Sequence, residues 1–253
     1  MEYKIGAGVR GFSTTRQGGV STGNYGTFNI NEYCGDDAGC IAENRRLLAQ
    51  RTGVAEDHII LPHQTHGTEV RPITAQYFQM PEEQKKAWLE GVDAIMTDQS
   101  DICIGVSTAD CIPILLYDPE HHAAAAIHAG WRGTVARIAM KAVGAMKQNY
   151  GTRGEDLKAV IGPGISRASF EVGDEVYEAF QQAGFPMGEI AERMGKWHID
   201  LPLCNRLQLE ETGVKGENIY QTDICTYQRS DEYFSARKLG IRSGRIYTAI
   251  ILT

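Results

Sequence analysis

The chain has 253 residues, 42% of them hydrophobic and 23% charged, which suits one large globular domain or two small ones with apolar surface enough for a core. Its formal net charge of −7 removes any global attraction for nucleic acid or an anionic membrane and leaves room only for a local basic pocket that takes a small anion. No run of ~18 uninterrupted apolar residues predicts a transmembrane helix, and the opening MEYKIGAGVRGF lacks the basic-then-apolar order of a signal peptide. The six cysteines (34, 40, 103, 111, 204 and 225) form no C-x-x-C pair and are expected as free thiols of a cytoplasmic protein, with at least one available as ligand or nucleophile.

Along the chain, Gly8–Asn31 is dense in Gly, Ser, Thr and Asn and reads as short strands and turns. It is either a surface loop or backbone that approaches a ligand closely; it has no P-loop pattern. A helix is expected over 36–54, with Asp at its start and Gly53 at its end. Strands are expected at 58–63 and 68–74, a charged surface helix at 81–91, then strands at 92–98, 101–107, 112–118 and 123–129. From Gly133 to Tyr150, Val135, Ile138, Ala139, Ala142, Val143 and Met146 fall on one helical face. A strand at 157–164, helices at 173–184 and 200–213, and strands at 218–223 and 245–252 complete the reading. The mixed order argues for one α+β domain over 1–253, with mixed β-sheets flanked by helices, rather than regular βαβ alternation. Asp200 is placed as a helix N-cap.

One stretch, GVSTADCIPILLYD, sets an ionisable Asp110–Cys111 pair between two apolar runs, an arrangement that is costly without a purpose. HQTHGTE, from His63, and IHAGWRG, containing His128, likewise put a His near a strand end, where side chains converge. From spacing alone these are no zinc finger. A strand-end His is commonly a structural hydrogen-bonding residue, and a lone Cys a small buried hydrophobe.

GFSTTRQGGVSTGNYGTFNIN, HQTHG, DAIMTDQSDICIGVSTADCIPILLYD, AAIHAGWRGT, IGPGISRASFEVG and CTYQRSDEYFSARK occur here in a fixed order. Together they resemble the YfiH-type family, also called the laccase-domain or polyphenol-oxidase family, from about Gly11 to the C-terminus. The resemblance implies a fold similar to Cys-His hydrolase-like proteins and one metal held by His66, Cys111 and His128; His63 precedes that match and is not expected as a ligand. A thiolate and two imidazoles suit Zn²⁺, with Cu²⁺ as the alternative, and leave a fourth position for water. Asp110 then either lies in the pocket, where it could orient water or move a proton, or serves as a capping or turn residue. Arg132, near a helix start, either holds phosphate or forms a surface salt bridge. Trp131 stacks on a base or sits in the core. Asn29, Arg45 and Gln64 are further substrate-binding candidates; Cys34, Cys40, Cys103 and Cys204 read as structural, and Cys225 has no evident chemical role.

The resemblance implies purine nucleoside chemistry: phosphorolysis of adenosine, inosine and 5′-methylthioadenosine, and deamination of adenosine. Deamination asks for a water nucleophile at C6 of the base and an acidic group to carry the proton to ammonia; the cytidine-deaminase signature is absent. Phosphorolysis asks for a phosphate pocket, for which Arg132 and Arg45 are the candidates. The alternatives are a copper phenol oxidase, although seven His without a His-x-His pair do not suit a multicopper site, and a Cys-His amidase on peptidoglycan precursors with Cys111 as nucleophile and His128 as base. A metal-stabilised binding module is the non-enzymatic reading. The expected partners are a small-molecule purine nucleoside and phosphate, with no nucleic acid, no membrane, and a monomer or weak homo-oligomer.

Overall fold

Near-continuous apolar runs, whose successive side chains point to opposite faces, build two large sheets that stack face to face. The computed structural model describes all residues, Met1–Thr253. One sheet has six strands in the order Ile219–Gln221, Lys158–Ile161, Ile112–Asp118, Ala123–Ala129, Val92–Thr97 and Glu69–Pro72. The other has five, ordered Glu2–Tyr3, Val9–Ser13, Ile246–Leu252, Cys103–Thr108 and Ile59–Ile60. Leu115, Tyr117, Ala124 and Ala126 of the first meet Ile104, Val106, Ile250 and Leu252 of the second. Their alternates Ile112, Ile114, Leu116, Ala125 and Ile127 face a helical layer that includes Ile138–Tyr150 and Leu201–Glu211. Beyond the five-stranded sheet, Tyr247, Ala249 and Ile251 pack under Leu48 of helix Ala38–Thr52 and under Phe28 and Ile30 of the glycine-rich segment. The result is an α+β fold with mixed sheets flanked by helices. No helix is long and apolar enough to cross a membrane.

The element expectations hold most closely where the pattern is strongest. Strands Ile112–Asp118 and Ala123–Ala129 match residue for residue. The first long helix starts where Asp37 accepts from the Cys40 N–H and stops at left-handed Gly53. Asp200 caps its helix by accepting from the Leu203 N–H at 3.0 Å. The helix expected over Gly133–Tyr150 is instead two, Trp131–Val135 and Ile138–Tyr150, with Arg137 between them at φ 64°. Helix Leu201–Glu211 causes the break: Gln208 donates to the Thr134 carbonyl (2.9 Å) and Asn205 to the Thr134 hydroxyl (3.1 Å). The strand expected over 58–63 shrinks to Ile59–Ile60. After Pro62, which has no N–H to give, the chain crosses to the other sheet, where the His63 N–H donates to the Leu89 carbonyl. A three-stranded sheet of Glu171–Val172, Lys196–Ile199 and Ala191–Met194 escaped the reading because its strands are short and largely exposed.

Candidate metal centre

Two adjacent strands and one loop deliver the three family-implied ligands to the same end of the sandwich. His128 is the penultimate residue of Ala123–Ala129 and is buried. Cys111 sits immediately before Ile112, on the neighbouring strand. His66 lies in the loop between Ile59–Ile60 and Glu69–Pro72. The donor atoms of all three lie within 4.8 Å of one another. Two imidazole nitrogens and a thiolate that close together would be able to hold a single metal ion. The two imidazoles meet edge to face, with centroids 4.9 Å apart at 78°.

Asp93 holds this geometry. It is completely buried near the start of Val92–Thr97, one step beyond the Ala94–Ile127 pair and therefore beside His128. A carboxylate only accepts, so His128 donates from Nδ1 to Asp93 Oδ1 at 2.7 Å, which turns Nε2 towards the other ligands. The same carboxylate accepts from the backbone N–H groups of Thr65 (3.2 Å), His66 (3.0 Å) and Gly67 (2.7 Å). His66 sits at φ 64°, a left-handed backbone that these bonds secure. Burial works to raise the Asp93 carboxyl, but His128 and the backbone donors more than offset it and hold it below the usual range.

Charge at the site is organised in the same way. Burial alone would raise the Cys111 thiol; His128 and His66 carry it down to about 6. Burial would lower His128; the Cys111 sulfur and the Asp93 carboxylate push it up to about 9. A thiolate beside imidazoles, one of them oriented by a carboxylate, is the donor chemistry that a zinc or copper ion takes. Gly130 makes room for it. A Cβ there would lie 2.9 Å from His66 Cδ2 and 3.2 Å from Cys111 Sγ.

The three residues open into a cleft of about 300 Å³, which Asn31, Tyr33, His63, Gln64, Thr108 and Arg245 also line. Tyr33 and His63 stack ring on ring at 4.1 Å, and His63 Nδ1 donates to Glu90 at 2.8 Å. Gln64 pairs with the backbone of Ser107, donating to its carbonyl (2.8 Å) and accepting from its N–H (2.7 Å). It lines the cleft with its amide already engaged.

The other candidates fall elsewhere, for physical reasons. Asp110, at φ 84°, turns away from the cleft: Thr226 Oγ1 and the Arg237 N–H each donate to it at 2.7 Å, so it serves as a turn and capping residue. Arg132 is exposed and lies over the Trp131 ring at 4.3 Å, outside the cleft lining. Asn29 is fully buried, with its amide spent on Asp36, Asn31 and the Arg245 N–H. Arg45 donates to the Ile59 carbonyl and lines a separate cavity with Glu56 and Lys85. Sequence reading missed Asp93, Thr108 and Arg245. The signal for Asp93 was an acid beside the first residue of the apolar strand VDAIMT, where a charge is costly unless partnered.

The family model described as multi-copper polyphenol oxidoreductase laccase matches residues 10–253. The chain is 48% identical over 244 residues to a purine nucleoside phosphorylase of Bacteroides thetaiotaomicron, covering 95% of this chain and 90% of that one. It is 43% identical over 246 residues to adenosine deaminase RL5 of an unknown prokaryotic organism, covering 96% and 94%. Among solved structures, YlmD from Geobacillus stearothermophilus superposes with a TM-score of 0.90 at 29% identity (97% and 92% covered). The YfiH protein of Bacillus licheniformis gives 0.90 at 25% identity (97% and 93% covered).

Proposed function

Since the chain belongs to the family described as multi-copper polyphenol oxidoreductase laccase, we propose that it is a metal-dependent purine nucleoside enzyme. Its reactions are phosphorolysis of adenosine, inosine and 5′-methylthioadenosine, and deamination of adenosine. The observation that carries this reading is the convergence of His66, Cys111 and His128 on one cleft, in a chain similar over nearly its whole length to proteins named for those two activities.

The three residues would hold Zn²⁺. When bound, the ion supplies a Lewis acid that makes a nucleophile of water near neutral pH. Asp93 positions both histidines: it fixes the Nδ1–H tautomer of His128 and the backbone of the His66 loop. The stacked Tyr33–His63 pair offers a flat wall for a planar base. His63, paired with Glu90 and outside the ligand trio, is the cleft imidazole that can hold or move a proton. The test is metal content and product analysis on one chelator-free preparation incubated with adenosine, with and without phosphate. About one zinc per chain is expected, with adenine that depends on phosphate and inosine that does not. Metal without nucleoside turnover would overturn the reading.

A second reading rests on a specific observation: Cys111, His128 and Asp93 also have the order of a nucleophile, its base and the base's orienting carboxylate. This is the amidase alternative. It requires Cys111 free of metal, so stoichiometric zinc in active protein decides against it. The copper oxidase alternative has one group of three ligands to work with, which suits a single copper and not the several of a multicopper centre.

A further inference from the structure

Phosphorolysis needs an anion site, and neither Arg132 nor Arg45 reaches the cleft. The cleft nevertheless has a cation. Arg245 lines it, and no aspartate or glutamate does, although the chain as a whole carries −7. The Arg245 guanidinium donates only to neutral oxygens of its own loop: the carbonyls of Ser243 (2.6 Å), Gly244 (3.0 Å) and Ile241 (3.0 Å), and weakly to the Ser243 hydroxyl at 3.4 Å. Those bonds hold the head group in place and leave its charge uncompensated.

A second, independent feature lies next to it. Thr108 ends the strand Cys103–Thr108 directly opposite Ile246, the residue after Arg245. It lines the same cleft, is 1% exposed, and its hydroxyl has no hydrogen-bond partner. That oxygen is sealed behind the cleft wall as it stands, and rotation about the Thr108 Cα–Cβ bond is what would turn it to a ligand oxygen and satisfy it. The geometry points to Arg245 and Thr108 as an oxyanion subsite that takes a phosphoryl group beside the His66–Cys111–His128 centre. The assignment deepens the nucleoside reading and rests on it for the identity of the anion: inorganic phosphate as co-substrate, or the phosphoryl group of a nucleotide.

Calorimetric titration of the zinc-loaded protein with inorganic phosphate, and separately with adenosine 5′-monophosphate, tests the subsite without relying on turnover. Arg245→Gln is expected to weaken anion binding about tenfold to a hundredfold, the loss of a charged hydrogen bond, and Thr108→Val about threefold to tenfold. Arg245→Lys, which keeps the charge and loses the planar fork, should fall between wild type and Arg245→Gln. Whichever anion responds identifies the source of the phosphoryl group. Unchanged affinity for both anions in folded Arg245→Gln and Thr108→Val overturns the subsite, as does loss of binding in Arg132→Gln alone. Nucleoside turnover is scored separately, on wild type and on Arg245→Gln. Anion binding that depends on Arg245 without turnover keeps the subsite and removes the nucleoside reading; turnover with an Arg245-independent phosphate KM does the reverse.

Discussion

Asp93→Asn is the most informative single change. Oδ1 of Asp93 accepts from His128 and the His66 N–H, and Oδ2 from the Thr65 and Gly67 N–H groups. An asparagine must turn its NH2 towards one of these pairs. If it faces Thr65 and Gly67, two backbone donors lose their acceptor. If it faces His128, the imidazole has to accept on Nδ1, its proton moves to Nε2, and the ring can no longer ligate. Leaving two part-buried donors unsatisfied at about 1 kcal/mol each, the low end of the range for buried groups, gives an expected loss of roughly 2 kcal/mol. Disturbing the orienting carboxylate of a metal-bound His should weaken zinc about tenfold to a hundredfold. Urea unfolding measures the first and competition with a chromogenic chelator the second; ¹⁵N chemical shifts of His128 report the tautomer. A variant within about 0.5 kcal/mol of wild type, with unchanged zinc affinity and the same His128 tautomer, would refute the argument that Asp93 organises the site.

Further outcomes are expected elsewhere. Gly130→Ala has ordinary backbone angles to occupy (φ −69°) but places its methyl 2.9 Å from His66 and 3.2 Å from Cys111, so zinc affinity should fall in chelator competition by more than stability falls in a melt. Cys111→Ala should lose zinc, measured by emission spectrometry, together with turnover while its circular dichroism stays native; retained turnover would remove Cys111 from the site. His128→Ala should also lower the melting temperature, because Asp93 keeps a buried charge with one partner fewer. Buried Asp118 accepts from the Glu120 and His121 N–H groups and from His121 Nδ1. Burial would raise its carboxyl, but the neighbouring Thr152 hydroxyl and the hydrogen bonds from His121 and Glu120 outweigh that and hold it below the usual value. A depressed carboxyl contributes stability above the ordinary aspartate pKa of about 3.9 and loses it as pH falls through its own lower value. Asp118→Asn should therefore cost roughly 1–3 kcal/mol at pH 7, and the gap to wild type should narrow below about pH 4 in urea titrations at several pH values.

Local pattern and packing divide what was legible in this chain. The unbroken apolar runs at Ile112–Asp118 and Ala123–Ala129 declare themselves because each strand is buried on both faces and bounded by polar residues. Asp37, Gly53 and Asp200 mark helix ends through bonds made within three or four residues of chain, so a linear reading finds them. His66, Cys111 and His128 could be named together only through the resemblance, since 45 and 17 residues separate them and nothing local couples them. What tertiary structure alone decided is wherever a side chain answers to a distant partner. Gln208 and Asn205 break a helix that its own periodicity would continue. Thr226 and Arg237 draw Asp110 out of the cleft. Strand register, not spacing, puts Asp93 beside His128 and Thr108 beside the end of the strand that Arg245 precedes. Hydrogen bonds and charges act over a few ångströms of space, and only the folded chain determines which residues, 35 or 127 positions apart, come that close.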